Sequence, residues 1–362
     1  MARTQRFKIL KLFFVTLGST LILALFLDFI FDKVFFPTLT ETSNIGKMKR
    51  MIEESHPKEI PIYGSSIARR SYIPDTIGFN TFNYGMAGNL YNAIHAYLQI
   101  ELEKEKSTPI IIDFDAHTFF YDENLMLHRS SYVPFLQNQH ILNMLKDYDY
   151  YSWHLLIPGM RYYGSYSDYL RQGLKPFFEP GELDNKGGVF FPSNPLVYAQ
   201  FRRKRLEMQQ RYEGLEFKKT ETPRLFTSEE NMVFDWLNAL LNFHNDSAQV
   251  ANFEKLVTDN PNRTFILCYS PQNPIKLAGM RNKEECQVFL KNLTERHNNI
   301  IALNYSEIGF PESLYKDSGH MNVDGARAYS ALLKRDLTRI LNDSFPADSS
   351  YFEIRQLPSG GI

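Results

Sequence analysis

Short apolar runs alternate with segments of helical periodicity along much of this chain, and this alternation restricts the fold more than any other feature. The runs carry almost no charge, which indicates strands buried on both faces by helices. Five such runs occur, at residues 59–63, 78–85, 108–114, 263–271 and 299–306. The sequence therefore predicts an α/β fold, a three-layer sandwich around a doubly wound, parallel, five-stranded sheet.

The alternation fails between residues 121 and 225, where the chain is aromatic and rich in loop-forming residues. A stretch of this length without sheet periodicity, inside a parallel fold, indicates an insertion, and such insertions often cover a site. The capping-box residues Thr227 and Glu230 predict that a helix follows at 228–244. Other helices are predicted at about 46–55, 89–105, 281–297 and 323–341.

The N-terminal region carries an uncharged apolar run at residues 12–27. It is preceded by four basic residues: Arg3, Arg6, Lys8 and Lys11. Residues 7–30 are long enough to cross a bilayer as one helix. Because the basic residues precede the run, we expect a single-pass anchor in the cell membrane, with a cytoplasmic N-terminus and an extracytoplasmic body. A cleaved signal peptide is the alternative, but no small-x-small cleavage site directly follows the run.

The predicted segments give the following organisation. We expect a cytoplasmic tip and anchor at 1–31, a tether at 32–45, an α/β domain from 46–120 and 226–343, an inserted cap-like region at 121–225 and a C-terminal tail at 344–362. The near balance of 40 basic and 41 acidic residues gives no reason to expect a nucleic-acid partner. The two cysteines, Cys268 and Cys286, have neither metal-ligand spacing nor a disulfide pattern.

Three short stretches beside predicted strands and helices carry candidate chemistry. "GSS" at 64–66 ends the first strand, "NYGMAG" at 83–88 follows the second, and "DSGH" at 317–320 precedes the last helix. Each alone is also ordinary turn or helix-start chemistry. Because the carboxyl ends of parallel strands meet at one edge of a sheet, we expect the three stretches to lie together. A serine, an imidazole and a carboxylate that orients the imidazole are the groups used in nucleophilic acyl transfer.

In this order, the stretches resemble the motif blocks of the SGNH/GDSL hydrolase superfamily. "GSS" stands where that superfamily has Gly-Asp-Ser, so Ser66 matches the nucleophile; Gly88 matches the oxyanion-hole glycine. Asp317 and His320 match the last block. The resemblance covers about residues 59–341 outside the insertion, and it implies a flavodoxin-like, SGNH-type sheet without a cofactor. With its apolar N-terminus, the chain looks most like the membrane-anchored D-alanyl-transfer (DltD-like) and alginate O-acetylation branches.

The resemblance implies a serine acyltransferase or carboxylic ester hydrolase that acts on O-acyl groups of a cell-envelope polysaccharide. Ser66 would form the acyl-enzyme, His320 would take the serine proton, and Asp317 would orient the imidazole. The backbone N–H groups of Ser66 and Gly88 would hold the oxyanion. Proteins of these branches work beside a membrane-bound O-acyltransferase, which is the expected partner besides the envelope glycan.

The stretch after the third strand, "DFDAH", departs from the Gly-x-Asn-Asp of the superfamily and leaves other interpretations open. His117 aligns near the asparagine that supplies an oxyanion donor and could replace it. A catalytically inactive scaffold that binds a glycan or a membrane partner is the second interpretation. The third is a metal-dependent phosphoesterase, because Asp113, Asp115 and His117 alternate along an extended chain and would share one face. No second ligand cluster in the sequence completes such a centre, so we expect no metal at the site.

We predict that carbonate extraction leaves the full-length protein in the membrane pellet, because residues 7–30 would cross the bilayer. Protease added to intact spheroplasts should digest the body, because the basic flank orients it outward. A cytoplasmic protein in the same spheroplasts, which should survive, is the control. Recovery of the full-length chain in the soluble fraction would contradict the anchor.

Overall fold

The computed structural model describes two compact units of the chain. They are formed by residues 1–54 with 128–180, and by residues 55–127 with 181–362. The described residues are 2–36, 39, 43–117, 119–120, 129–147, 151–157, 160–162, 167, 169, 183–191, 193, 243–278, 280, 282–317, 319–342 and 350–353.

The helices follow most of the predicted periodic segments. They are α1 (Ala2–Ile30), α2 (Asn44–Glu53), α3 (Ser66–Ser71), α4 (Pro74–Ile77), α5 (Tyr91–Leu102), α6 (Gln139–Asp147), α7 (Ser247–Asp259), α8 (Pro274–Ala278), α9 (Lys283–Arg296) and α10 (Val323–Leu341). The segments predicted at 46–55, 89–105, 281–297 and 323–341 correspond to α2, α5, α9 and α10. The helix predicted at 228–244 lies almost wholly outside the described residues.

The strands are β1 (Ile60–Tyr63), β2 (Thr81–Asn83), β3 (Ile110–Asp113), β4 (Leu183–Asn185), β5 (Gly188–Phe190), β6 (Phe265–Tyr269), β7 (Ile300–Asn304) and β8 (Tyr351–Glu353). One parallel sheet has the order β2-β1-β3-β6-β7-β8, and β4 and β5 form a separate antiparallel hairpin. The predicted α/β class and parallel sheet are confirmed.

The predicted number of strands in the sheet is wrong, because the described residues form six parallel strands rather than five. The additional strand, β8, pairs with β7 and comes from the segment predicted as a C-terminal tail. Its three residues are only partly buried. The strand follows the last helix and lies outside the alternation of apolar runs and helices by which the other five were predicted.

The first unit joins the end of α1 to part of the predicted insertion. One stretch, Phe7–Lys33, is long and apolar enough to cross a membrane, a test that an N-terminal signal sequence also passes. Beyond α1, Phe31 and Phe36 pack against Tyr162 and Tyr169, with ring centroids 5.2 to 5.8 Å apart. Tyrosines of the predicted insertion therefore pack within this unit.

The second unit contains the sheet, and close packing around α3 explains the glycines that end β1 and follow β2. A Cβ on Gly64 would lie 2.6 Å from the Cβ of Ala68 and 2.8 Å from the Cβ of Asp113. A Cβ on Gly85 would lie 2.5 Å from the backbone nitrogen of Arg69 and 2.8 Å from the Cβ of Ala68. Such separations are shorter than carbon atoms tolerate, so these positions require glycine for α3 to pack this closely.

Gly64→Ala should lower the free energy of unfolding by about 1–3 kcal/mol, because the new methyl group overpacks the contact between β1, β3 and α3. Chemical denaturation of the full-length chain would measure the loss. Gly319→Ala is the matched control, since the nearest heavy atom to a Cβ there is Asp317 Oδ1 at 3.8 Å. Equal losses in the two variants would contradict this account of Gly64.

Candidate active site

The sheet topology places three of the predicted site residues at one edge. Ser66 follows β1, Gly88 follows β2 and His117 follows β3. Because β2, β1 and β3 are adjacent and parallel, their carboxyl ends share an edge of the sheet. Parallel α/β proteins keep their sites at this edge.

Hydrogen bonds join Ser66, His320 and Asp317 in a chain. The imidazole Nε2 of His320 lies 2.9 Å from Ser66 Oγ, although the two residues are 254 positions apart. The other ring nitrogen, Nδ1, lies 2.9 Å from Asp317 Oδ1 and 3.1 Å from Asp317 Oδ2. These distances are within the range for a nucleophile and its base, and for a base and its orienting carboxylate.

The carboxylate of Asp317 fixes the tautomer of His320. Asp317 Oδ1 also accepts hydrogen bonds from the backbone N–H groups of Gly319 at 2.9 Å and His320 at 2.8 Å. Burial alone would raise the pKa of Asp317, but the hydrogen bond and charge of His320 and these two N–H groups together lower that pKa. An ionised carboxylate only accepts hydrogen bonds, so Nδ1 carries the proton and Nε2 is left to accept from the Ser66 hydroxyl.

The start of α3 determines where Ser66 lies. Ser65 is the N-cap of this helix, and its Oγ accepts a hydrogen bond from the N–H of Ile67 at 3.2 Å. Ser66 is thus the first helical residue. The side chain of Asn83, at the end of β2, donates to two carbonyls of α3 and its C-cap, those of Ala68 and Tyr72, at 2.9 Å each. The nucleophile candidate is therefore held by the ends of β1 and β2.

The predicted oxyanion donors, Ser66, Gly88 and His117, follow β1, β2 and β3 at the same edge of the sheet. As the first residue of α3, Ser66 has a backbone N–H with no partner inside the helix. Gly88 has a φ of +76°, a left-handed conformation that favours glycine. His117 is buried, and its backbone N–H donates to Asp115 Oδ1 at 3.3 Å.

The carboxyl group of Asp113 is buried in the core beside the start of α3. The Tyr72 hydroxyl donates to Asp113 Oδ1 at 2.8 Å, and the Tyr329 hydroxyl donates to Tyr72 at 3.1 Å. Burial raises the pKa of Asp113 to about 7, and the charge of Asp115 adds to this effect. The hydrogen bonds from Tyr72 and Ser270 oppose the increase, as does the charge of Lys276.

The structure limits the extended stretch on which the metal interpretation depended. β3 ends at Asp113 and a turn follows at residues 116–117, so the extended alternation on which that interpretation depended stops. Asp115 instead lies 3.6 Å from the ammonium group of Lys276, with both side chains buried. In the part of the chain that the structure describes, no group of three His, Cys, Asp or Glu side chains could hold a metal ion.

Phe191 was not among the residues predicted for the site, yet its ring centroid lies 6.3 Å from that of His320. Phe191 directly follows β5, in the insertion that was predicted as a cap. The sequence offered a local signal: "NKGG" at 185–188 is a turn sequence followed by the apolar stretch "VFF" at 189–191, as at the turn of a hairpin.

Comparisons of the chain with protein-family models and with curated proteins gave no match. The functional interpretation therefore depends on the motif residues and on the geometry of this site.

We predict that Asp113 makes the free energy of unfolding decrease as the pH rises from about 4 to about 7. Its pKa is 3.8 as the ordinary value and about 7 in the fold, so in this interval the folded chain binds more protons than the unfolded chain. The contribution of Asp113 to the free energy of unfolding is fully present below the ordinary pKa of 3.8. It is lost as the pH rises through the folded-state pKa of about 7. Asp113→Asn keeps the acceptor for Tyr72 and cannot ionise, so its denaturation curves should lack this decrease.

The difference between wild type and Asp113→Asn should grow by up to about 1.4 kcal/mol per pH unit across the interval. Asp259→Asn, which removes an exposed carboxylate on α7, is the control and should follow the wild type. Parallel pH curves for wild type and Asp113→Asn would show that Asp113 does not titrate in this way.

Proposed function

We propose that the protein is a membrane-anchored, SGNH-type serine acyltransferase or esterase that acts on O-acyl groups of a cell-envelope polysaccharide. The observation that carries the proposal is the hydrogen-bonded chain Ser66–His320–Asp317 at the carboxyl edge of a parallel sheet. With the hairpin set aside, the first five strands have the order 2-1-3-4-5, which is the flavodoxin-like order. This order supports an SGNH-type sandwich to which β8 adds a sixth strand.

In the first half of the reaction, Ser66 Oγ attacks the acyl carbonyl carbon while His320 Nε2 takes the hydroxyl proton. The tetrahedral intermediate then collapses, the bond to the leaving oxygen breaks, and His320 returns the proton to that oxygen. The product is an ester on Ser66 and a free hydroxyl on the donor. Asp317 stabilises the imidazolium that forms between these two steps.

Backbone N–H groups supply the expected oxyanion donors. Those of Ser66 and Gly88 follow β1 and β2, so they can face the carbonyl oxygen of an ester bound at Ser66. His117 is a third candidate at the end of β3. Each such donor contributes about 3 kcal/mol to the stability of the transition state in well-studied hydrolases.

In the second half, His320 removes the proton of a sugar hydroxyl or of water, and that oxygen attacks the acyl-enzyme. The bond to Ser66 breaks and the proton passes from His320 to Ser66 Oγ. Transfer to a sugar gives an acyltransferase and transfer to water gives an esterase. The apolar N-terminal helix supports an envelope location, where a membrane-bound O-acyltransferase would supply the acyl donor.

A non-catalytic scaffold that binds a glycan or a membrane partner is the second candidate function. It is favoured by the third motif block, where "DFDAH" lacks the family asparagine and the His117 N–H is bonded to Asp115. A fluorophosphonate probe separates the two functions, because it reacts covalently with a serine only where a base activates it.

We expect Ser66→Ala and His320→Ala each to lower acyl transfer, ester hydrolysis and probe labelling by at least about a thousandfold, because the two side chains act as one unit. The loss of rate in Asp317→Asn should be smaller than in Ser66→Ala or His320→Ala by a factor of roughly ten to a hundred. Asp317 orients and stabilises the base without bonding to the acyl group. Rates of labelling and of acetyl-ester hydrolysis by the purified full-length protein would measure these effects.

Ser65→Asp is the matched control, since aspartate is as good an N-cap as serine and stands at this position in the superfamily. It should keep both α3 and the reaction, whereas Ser65→Ala should weaken the start of the helix by about 1 kcal/mol. An inactive Ser65→Asp with an active Ser66→Ala would mean that the nucleophile has been assigned to the wrong serine. Lack of labelling in the folded wild type would favour the scaffold.

A further inference from the structure

The hairpin β4–β5 is connected to the helix that begins at Ser66. The guanidinium of Arg70, four residues after Ser66 on α3, donates to the carbonyl of Val189 in β5 at 2.8 Å. At the hairpin turn, the carbonyl of Lys186 accepts a hydrogen bond from the N–H of Asn83 at 3.0 Å. The hairpin therefore contacts α3 and the end of β2, the two elements that position Ser66.

The residue that follows β5 is connected to the loop that carries His320. The carbonyl of Phe191 accepts a hydrogen bond from the N–H of Val323 at 2.8 Å, and Phe191 pairs with Asn322 in a parallel bridge. Asn322 is the N-cap of α10 and comes two residues after His320. The segment 188–191 thus reaches from the serine helix to the histidine loop.

Two cations, one from each of these elements, lie over the ring of Phe191. The guanidinium carbon of Arg70 is 3.8 Å from the ring centroid, and the Lys316 ammonium is 3.1 Å from it. Like charges on neighbouring elements repel each other, but an aromatic face attracts both. Lys316 directly precedes Asp317, so this ring joins α3 to the loop that holds the base and its carboxylate.

The ring of Phe191 also meets His320 edge to face, with an interplanar angle of 74°. The His320 side chain is 28% exposed, so solvent bounds part of it. Asp317 and Ser66 hold its two nitrogens through hydrogen bonds. The packing contact with Phe191 resists tilting of the imidazole away from these two hydrogen-bond partners. A displacement of about 1 Å between reacting groups costs on the order of a hundredfold in rate.

We propose that Phe191 is a positioning residue for the candidate base: held by Arg70 and Lys316, it fixes the His320 ring at hydrogen-bonding distance from Ser66. Phe191, which follows hairpin strand β5 in the predicted insertion, then forms one wall of the site. This inference rests on the proposed function for its kinetic consequence, while its structural consequence does not depend on activity.

Phe191→Leu in the full-length protein removes the aromatic face and keeps an apolar side chain, and Phe191→Tyr restores the face. Phe253→Leu is the matched control, because Phe253 is a buried aromatic residue on α7 of the same unit. The measurements are the maximal rate and the half-saturating concentration of fluorophosphonate labelling at Ser66, together with thermal unfolding of each variant.

Phe191→Leu should lower the maximal labelling rate by about 10- to 100-fold and leave the half-saturating concentration of probe unchanged, because orientation rather than binding is lost. Phe191→Tyr should label at the wild-type rate. Phe253→Leu should lower the unfolding temperature without changing the labelling rate. An unchanged rate in Phe191→Leu, no rescue by Phe191→Tyr, or an equal rate loss in Phe253→Leu would overturn the proposal.

Lack of labelling in the wild type would count against the proposed function and not against this inference. In that case, crystal structures of wild type and Phe191→Leu test whether Phe191 positions His320. The distance from His320 Nε2 to Ser66 Oγ should lengthen from 2.9 Å to beyond hydrogen-bonding range, about 3.5 Å, in Phe191→Leu. An unchanged distance would overturn the proposal.

Discussion

The close approach of the strand ends to α3 is the constraint on which the candidate site depends. Gly64 and Gly85 let the ends of β1 and β2 pack against Ala68, where a side chain at either position would collide with the helix. Because α3 is only six residues long, its position depends on this packing more than on its own hydrogen bonds. The packing therefore sets the position of Ser66, and Ser65 as N-cap sets the residue at which the helix begins.

A chain of buried polar groups extends the same constraint to the histidine side of the site. Asp113 ends β3, Tyr72 is the C-cap of α3 and Tyr329 belongs to α10, and hydrogen bonds join the three side chains in that order. Burying polar groups is unfavourable unless they are hydrogen bonded, so alternative packings of these elements would leave some of them unpaired. Since α10 begins just after His320, one network relates both flanks of the serine–histidine pair.

The sequence predicts those parts of the fold that depend on local pattern. β6, with all five residues buried, is a continuous apolar run, and His320 lies beside a helix start that its own neighbours define. β8 has no such pattern, because pairing with β7 buries it only partly. Phe191 was missed for a related reason: its partners Arg70 and Val323 are distant in sequence, and a three-residue strand has too few positions for a period to show.

The third motif block shows how the same sheet edge can serve structure as well as chemistry. The superfamily that this chain resembles has an asparagine donor after its third strand. Here β3 ends in Asp113, whose carboxyl group bonds to Tyr72 within the core, and Asp115 accepts from the His117 N–H. Under the proposed function, the backbone N–H groups of Ser66 and Gly88 would stabilise the oxyanion, and the His117 side chain remains a third candidate. Those two donors follow β1 and β2, so the packing of both strands against α3 would govern the geometry of the oxyanion hole as well as that of the nucleophile.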